Sequence, residues 1–120
     1  MQTALTSRHL DDQVRQVDLG DTARETWKQL SESSTNHTAS TLIKQPGIRV
    51  VLLTLDAGAL VPEHDSEFAA TVQVLSGHVE LKMAGEIWQL RPGRLQAIGA
   101  GVAHDFKAMV RSEVLLTLGG

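Results

Sequence analysis

Apolar positions follow two different spacings along the chain. Before about residue 40 the chain is polar, and its clearest apolar series is Ala23, Trp27 and Leu30, at intervals of four and three residues. Such a series lies on one face of a helix. The pattern therefore predicts a short helix near residues 21–31 that packs on the rest of the protein through Trp27.

Two residues predict where this helix begins. Thr22 and Glu25 have the spacing of a capping box, in which each side chain satisfies a backbone N–H of the other residue. The segment 31–37 that follows the helix is polar, which indicates a loop. We therefore expect an N-terminal arm with a short helix over residues 1–38 and a β domain over residues 39–120.

Short apolar runs separated by turn residues occupy the second region, from about residue 41 onward. Residues 47–55 are almost continuously β-branched or aliphatic, which predicts a strand buried on both faces. Residues 78–83 alternate between apolar and polar, which predicts a strand with one buried face. The other predicted strands are 70–75, 87–90, 95–98, 102–109 and 113–118. Roughly eight short strands with Gly and Pro turns, and no helices between them, predict an antiparallel β-sandwich or barrel.

Composition narrows the possible functions. A length of 120 residues suits one domain, and the absence of cysteine excludes thiolate catalysis and thiolate metal sites. The formal net charge is −3 and the cations are interspersed with acids, so we expect no nucleic-acid partner. No apolar run has the length of a membrane span and the N-terminus does not have the pattern of a signal peptide, so we expect a cytoplasmic protein without a membrane partner.

Two segments of the chain resemble the two sequence motifs of the cupins. The typical first motif reads Gly, five residues, His-x-His, then Glu and a closing Gly, and the second ends in Pro-x-Gly followed by His. The matching residues are Gly58, His64 and Gly77 in the first motif and Gly93, Gly101 and His104 in the second, with Gly99 in the usual Pro position. The resemblance covers about two thirds of the chain. It implies a double-stranded β-helix, the cupin jelly-roll barrel of the RmlC-like type, over residues 39–120.

The same resemblance implies a metal site, of which this chain keeps half. Cupins typically hold a metal with three His and one Glu, whereas Ser66 replaces the second His and Ala70 replaces the Glu, counted back seven residues from Gly77. His64 and His104 are therefore the candidate ligands. They suit one weakly held divalent transition metal, namely Zn, Ni, Fe or Cu, or no metal at all.

These positions also define a candidate ligand pocket. Alternation along a strand puts His64 and Ser66 on one side, which in the cupin arrangement is the barrel interior. Small residues at two former ligand positions leave space that a ligand, water or neighbouring side chains must fill. We expect an open pocket lined by His64, Ser66, Ala70 and His104, with Phe106 in an apolar wall. This lining suits a small neutral or weakly anionic organic molecule.

Several functions are compatible with such a site. The first is a small cupin with a degenerate metal site that binds a small organic molecule, directly or through a metal. The alternative is a metal-dependent cupin enzyme, dioxygenase-like or isomerase-like, acting on a small organic substrate. A facial triad needs a carboxylate that no position of the right parity supplies, so whether the chain is an enzyme stays open. A third reading is an assembly protein with a vestigial pocket.

We also expect a homodimer. An open jelly roll has strand edges to protect. The run 47–55 is apolar on both faces, which suits a strand covered by the core on one side and by a partner on the other.

Overall fold

Two antiparallel β-sheets that face each other form the body of the protein. The structure, a computed structural model, describes residues 14–64 and 66–120. Within these residues one helix, α1 (Leu19–Ser31), precedes nine strands. The strands are β1 (His37–Gln45), β2 (Ile48–Leu55), β3 (Leu60–His64), β4 (Ala70–Ser76), β5 (Val79–Met83), β6 (Glu86–Leu90), β7 (Leu95–Ile98), β8 (His104–Ala108) and β9 (Ser112–Gly119). One sheet has the order β1-β2-β9-β4-β7 and the other has the order β3-β8-β5-β6. The expected all-β jelly roll with a short N-terminal helix is confirmed.

Alternating burial along the strands places the main core between the two sheets. On β4, Val72 and Val74 are buried while Gln73 is exposed, and β5 and β8 show the same alternation. Opposite faces of a strand receive alternate residues, so each sheet contributes one apolar face. The largest buried side chain of this core is Phe106.

The strand β2 was expected to be buried on both faces, but only its second half is buried in this way. Leu53 and Leu55 of β2 belong to the core between the sheets, whereas Leu52 packs with Ala23 of α1 in a second cluster on the outer face. The first half of β2, beginning at Ile48, is partly or fully exposed. The covering element over Leu52 is therefore the helix of the same chain.

Trp27 attaches α1 to the outer face of the five-stranded sheet. Its indole N–H donates a hydrogen bond of 2.7 Å to Glu113 Oε2 of β9. The guanidinium carbon of Arg111 lies 3.9 Å from the centroid of the indole ring, which is a cation–π arrangement. The predicted role of Trp27 in packing the helix is confirmed, with a polar contact that the apolar spacing did not reveal.

The predicted start of the helix was wrong. Asp18 is the N-cap, and its carboxylate accepts a hydrogen bond from the backbone N–H of Asp21, while the Thr22 hydroxyl donates to the Asp18 carbonyl oxygen. Asp is among the strongest N-cap residues, and it lies one turn before the capping-box pair, so the helix begins at Leu19. The strand β1 also begins at His37, which was expected to lie in a loop, because its first residues are polar and carry no apolar alternation.

Replacing Trp27 tests how much the docking of α1 stabilises the fold. We expect Trp27→Phe to lower the free energy of unfolding by about 1–2 kcal/mol, because it removes a hydrogen bond to a carboxylate and leaves Glu113 unpaired. Trp27→Ala loses packing as well and should cost about 2–4 kcal/mol. Urea unfolding followed by circular dichroism measures both values.

The matched control is the other tryptophan, Trp88, which is 40% exposed on β6. Trp88→Phe should change the free energy of unfolding by less than about 0.5 kcal/mol, as expected at a surface position. Equal losses of unfolding free energy in Trp27→Phe and Trp88→Phe would show that the contacts of Trp27 do not stabilise the fold more than those of an exposed tryptophan.

Candidate functional site

His104 begins β8 and faces the interior of the barrel. It is 6% exposed, and Phe106, two residues later on the same face, is 1% exposed. The two rings meet edge to face, with centroids 5.5 Å apart and an interplanar angle of 74°. Met83 of β5 is the Cα partner of His104 on the other side. One polar ring thus lies at the border of an apolar core.

A backbone contact fixes which nitrogen of His104 carries a proton. Nδ1 lies 2.8 Å from the carbonyl oxygen of Val102. A carbonyl oxygen only accepts, so Nδ1–H is the donor, and in the neutral ring the lone pair is on Nε2. Histidines that bind metals or accept hydrogen bonds from ligands are commonly held in this way, by a carbonyl on the other ring nitrogen.

The backbone register brings the two candidate histidine positions together. His64 at the end of β3 is the Cα partner of His104, and Val61 is the Cα partner of Phe106. The four residues 61–64 of β3 therefore match the three residues 104–106 of β8, which is a β-bulge. Directly opposed positions of an antiparallel pair share a face, so the bulge assigns position 64 to the inner face. Without the bulge, position 63 would have taken this place.

Ser66 does not continue the strand that ends at His64. It lies in the connection between β3 and β4, so the alternation expected from His64 to Ser66 does not extend to it. Its carbonyl oxygen accepts a hydrogen bond of 2.7 Å from the N–H of Gly101, and its hydroxyl oxygen accepts one from the N–H of Phe68. The first bond joins the β3–β4 connection to the β7–β8 connection, which leads to His104.

Ala70 opens β4 in the facing sheet. It is half-buried and shares the inner face with Val72, and its Cα partners are Ile98 and Leu118. It also borders an open depression of about 380 Å³. The other residues around that depression are Ala69, Thr71, Ala97, Ile98, Gly99, Thr117 and Gly119. Of the other expected lining residues whose side chains the structure describes, Ser66, His104 and Phe106 do not border it. A common pocket around His104 stays a prediction.

Comparisons with known proteins relate this arrangement to solved structures. No protein-family model and no curated protein matches the chain. A cupin superfamily protein from Desulfitobacterium hafniense is 17% identical, with a TM-score of 0.69 over 88% of this chain and 91% of that chain. KdgF from a Halomonas species is 22% identical, with a TM-score of 0.67 over 70% of this chain and 78% of that chain. The chain has the cupin fold. This confirms the architecture that the motif resemblance implied.

A larger enzyme contains a similar barrel. Salicylate 1,2-dioxygenase from Pseudoaminobacter salicylatoxidans, solved as a variant, is 19% identical to the chain, with a TM-score of 0.77 over 85% of this chain. The match spans only 34% of the dioxygenase chain. At this identity the comparison establishes a shared cupin fold.

The cupin fold raises the question whether the residues present fit a metal. The orientation of His104 suits a ligand, and position 64 lies opposite it. A closed protein site usually needs three or four ligands, however, and among the side chains that the structure describes no three His, Cys, Asp or Glu come together. Ser and Ala stand at positions 66 and 70. This set does not fit a tightly held metal.

The remaining histidines with described side chains lie elsewhere. The Nε2 atom of His78 contacts Gln89 Oε1, and the Gln89 amide donates to Glu80, which makes a short polar chain across β5 and β6. His37 contacts Asn36 at the start of β1. In the described part of the chain, no helix is long and apolar enough to cross a membrane.

Restoring the two altered cupin positions tests whether Ser66 and Ala70 weaken metal binding. We expect the double variant Ser66→His, Ala70→Glu to bind Ni²⁺ at least about tenfold more tightly than the wild type, because each added ligand supplies a further coordinate bond. Equilibrium dialysis with elemental analysis, on protein purified without an affinity tag, measures the affinity.

Adding His104→Ala to the double variant is the control, and it should weaken Ni²⁺ binding relative to the double variant, because it removes one of the four ligands. Stoichiometric metal retained by wild-type protein after purification would contradict the expectation. So would a double variant that binds no more tightly than the wild type.

Proposed function

We propose that the barrel end at His64 and His104 binds a small, mainly apolar organic molecule through a hydrogen bond to His104 Nε2. The observation that carries this proposal is the bond from Nδ1–H of His104 to the Val102 carbonyl oxygen, which makes Nε2 the nitrogen with the lone pair in the neutral ring. A hydroxyl group of the ligand is a matching donor. The proposal is one of binding, without a chemical step.

The surroundings of His104 support an apolar ligand. Phe106 is in ring contact with it and Met83 is its neighbour across the sheet. A formal charge placed beside such groups would lose hydration without a partner, which costs several kcal/mol, whereas a neutral molecule with one hydroxyl loses much less.

A metal-dependent cupin enzyme is the second candidate. The pairing of positions 64 and 104 favours it, because two imidazoles on one face are a partial site for a transition metal. The similarity in fold to salicylate 1,2-dioxygenase also supports a small organic substrate. The Ser and Ala at positions 66 and 70 weigh against catalysis, since they remove the ligands that would hold a metal in place. Metal analysis of the purified protein discriminates between the two candidates.

A pair of probes that differ in one hydroxyl tests the binding proposal. We expect phenol to shift the amide resonances of His104, Phe106 and Met83 in a saturable titration of ¹⁵N-labelled protein, with a Kd in the range of about 1 mM or tighter. Toluene, which has the same body without the donor, should bind about fivefold to tenfold more weakly, as expected for one hydrogen bond.

His104→Phe should abolish the preference for phenol while keeping the core filled. His78→Gln is the matched control, because it changes a histidine of the same sheet region that lies outside the proposed site, and it should leave the preference unchanged. Equal binding of phenol and toluene to the wild type, or shifts confined to other parts of the barrel, would defeat the proposal.

We further propose that the chain forms a homodimer. Among the described residues, the nine-residue strand β1 is an edge strand of the five-stranded sheet, with a bulge between Thr41 and Ile43. Edge strands present unpaired backbone groups that can pair with another strand, here on either side of the bulge. Light scattering at micromolar concentration should give a mass of twice 13.0 kDa. A mass of 13.0 kDa throughout a dilution series would refute the dimer.

A further inference from the structure

Two cations stand directly opposite each other where β1 turns into β2. Lys44 and Arg49 are Cα partners, and both side chains are exposed. Like charges in directly opposed positions destabilise a pair of strands. Among the described residues the only ion pair joins Arg24 to Asp21, so no described carboxylate neutralises either cation. The pair carries a local positive charge on a protein whose formal net charge is −3.

A cavity of about 140 Å³ lies beside these cations. Its apolar walls are Ile48, Leu118 and Phe68, and backbone of the last residues of the chain completes it. The Phe68 ring packs so closely on Gly120 that a side chain there would overlap it. The pocket thus has a charged side and an apolar side.

We propose that this pocket binds the carboxylate of a small organic acid whose body is apolar. The planar guanidinium of Arg49 offers two parallel N–H donors that match a carboxylate, and Lys44 adds a point charge from the opposite strand. Phe68 and Leu118 cover the body of the acid. A carboxylate bound between the two cations would also offset their mutual repulsion, which otherwise disfavours this pairing of strands.

The size of the pocket limits the ligand. Its volume is about 140 Å³, whereas pockets for drug-sized ligands are larger, at about 300–1,000 Å³. The pocket therefore suits a carboxylate on one ring or a short chain better than a nucleotide or a sugar phosphate. The class of ligand is a compact monocarboxylate.

The binding residues proposed here differ from those proposed at His104. Arg49, Leu118 and Ala70 form a row of Cα partners across the sheet, and Gly119 borders both this pocket and the depression beside Ala70. The two proposals rest on different side chains. A failure to bind phenol at His104 would leave the carboxylate site untouched, and the reverse also holds.

Benzoate and its neutral analogue benzamide are the probes. In ¹⁵N-labelled wild-type protein we expect benzoate to shift the resonances of residues 44–49, Phe68 and residues 118–120 in a saturable way, with a Kd below about 10 mM. Benzamide should bind at least about tenfold more weakly, because it has the same body without the charge. Acetate should also bind more weakly, because it lacks the apolar body.

Two double variants separate the pocket from the general charge of the protein. Lys44→Gln, Arg49→Gln should lose benzoate binding by at least about tenfold. Lys82→Gln, Lys107→Gln removes the same charge from exposed positions of the other sheet and should leave the affinity within about twofold. Equal losses in the two double variants would overturn the proposal, as would equal binding of benzoate and benzamide.

A charge reversal provides an independent readout. Lys44→Glu replaces a like-charge pair with an opposite-charge pair facing Arg49, so the thermal midpoint should stay the same or rise while benzoate binding is lost. A variant that keeps binding overturns the proposal. A lower midpoint without ligand would remove the argument that the cations repel each other. No saturable benzoate shift in these residues up to about 10 mM in wild-type protein would also overturn it.

Discussion

The two sheets of this small barrel have to bury one face each against the other, and every other feature is arranged around that requirement. Val72 and Val74 of one sheet and Leu81 and Phe106 of the other are at most 1% exposed. In a chain of 120 residues few side chains remain to compensate for an unfilled or unpaired interior position. The polar ring of His104 is tolerated on the inner face of β8 because its Nδ1–H donates a hydrogen bond to the Val102 carbonyl oxygen at the end of the barrel.

The fold was predictable where burial alternates along a strand. The sequence of β5 alternates in this way, and its residues from Val79 to Met83 are buried at every second position. β1 escaped prediction because its first residues are polar and its edge position leaves much of it exposed. The helix start escaped because Asp18 lies a full turn before the apolar series.

The candidate site was predictable in its residue types and less so in its geometry. The motif spacing singled out positions 64 and 104, and the register pairs them. The bulge that produces this pairing depends on backbone geometry, and no side-chain pattern in β3 encodes it. The hydrogen bond between Gly101 and Ser66 likewise joins backbone groups, so no side-chain pattern predicts it. The Lys44 and Arg49 pairing did have a signal, since the Pro46-Gly47 turn between two β runs implies that residues equally far from it face each other.

Because of the bulge in β3, the arrangement at the barrel end depends on the number of residues in this strand as well as on their identity. Residues 61–64 of β3 span the length that residues 104–106 span on β8. Losing one residue from this stretch would keep the strand and its hydrogen-bonded neighbour but put a different residue opposite His104. A lineage could therefore gain or lose the pairing of the two histidine positions through a single-codon insertion or deletion, with every histidine codon intact. Alignments that treat such length changes in β3 as neutral would overlook the step that decides whether the two positions are paired.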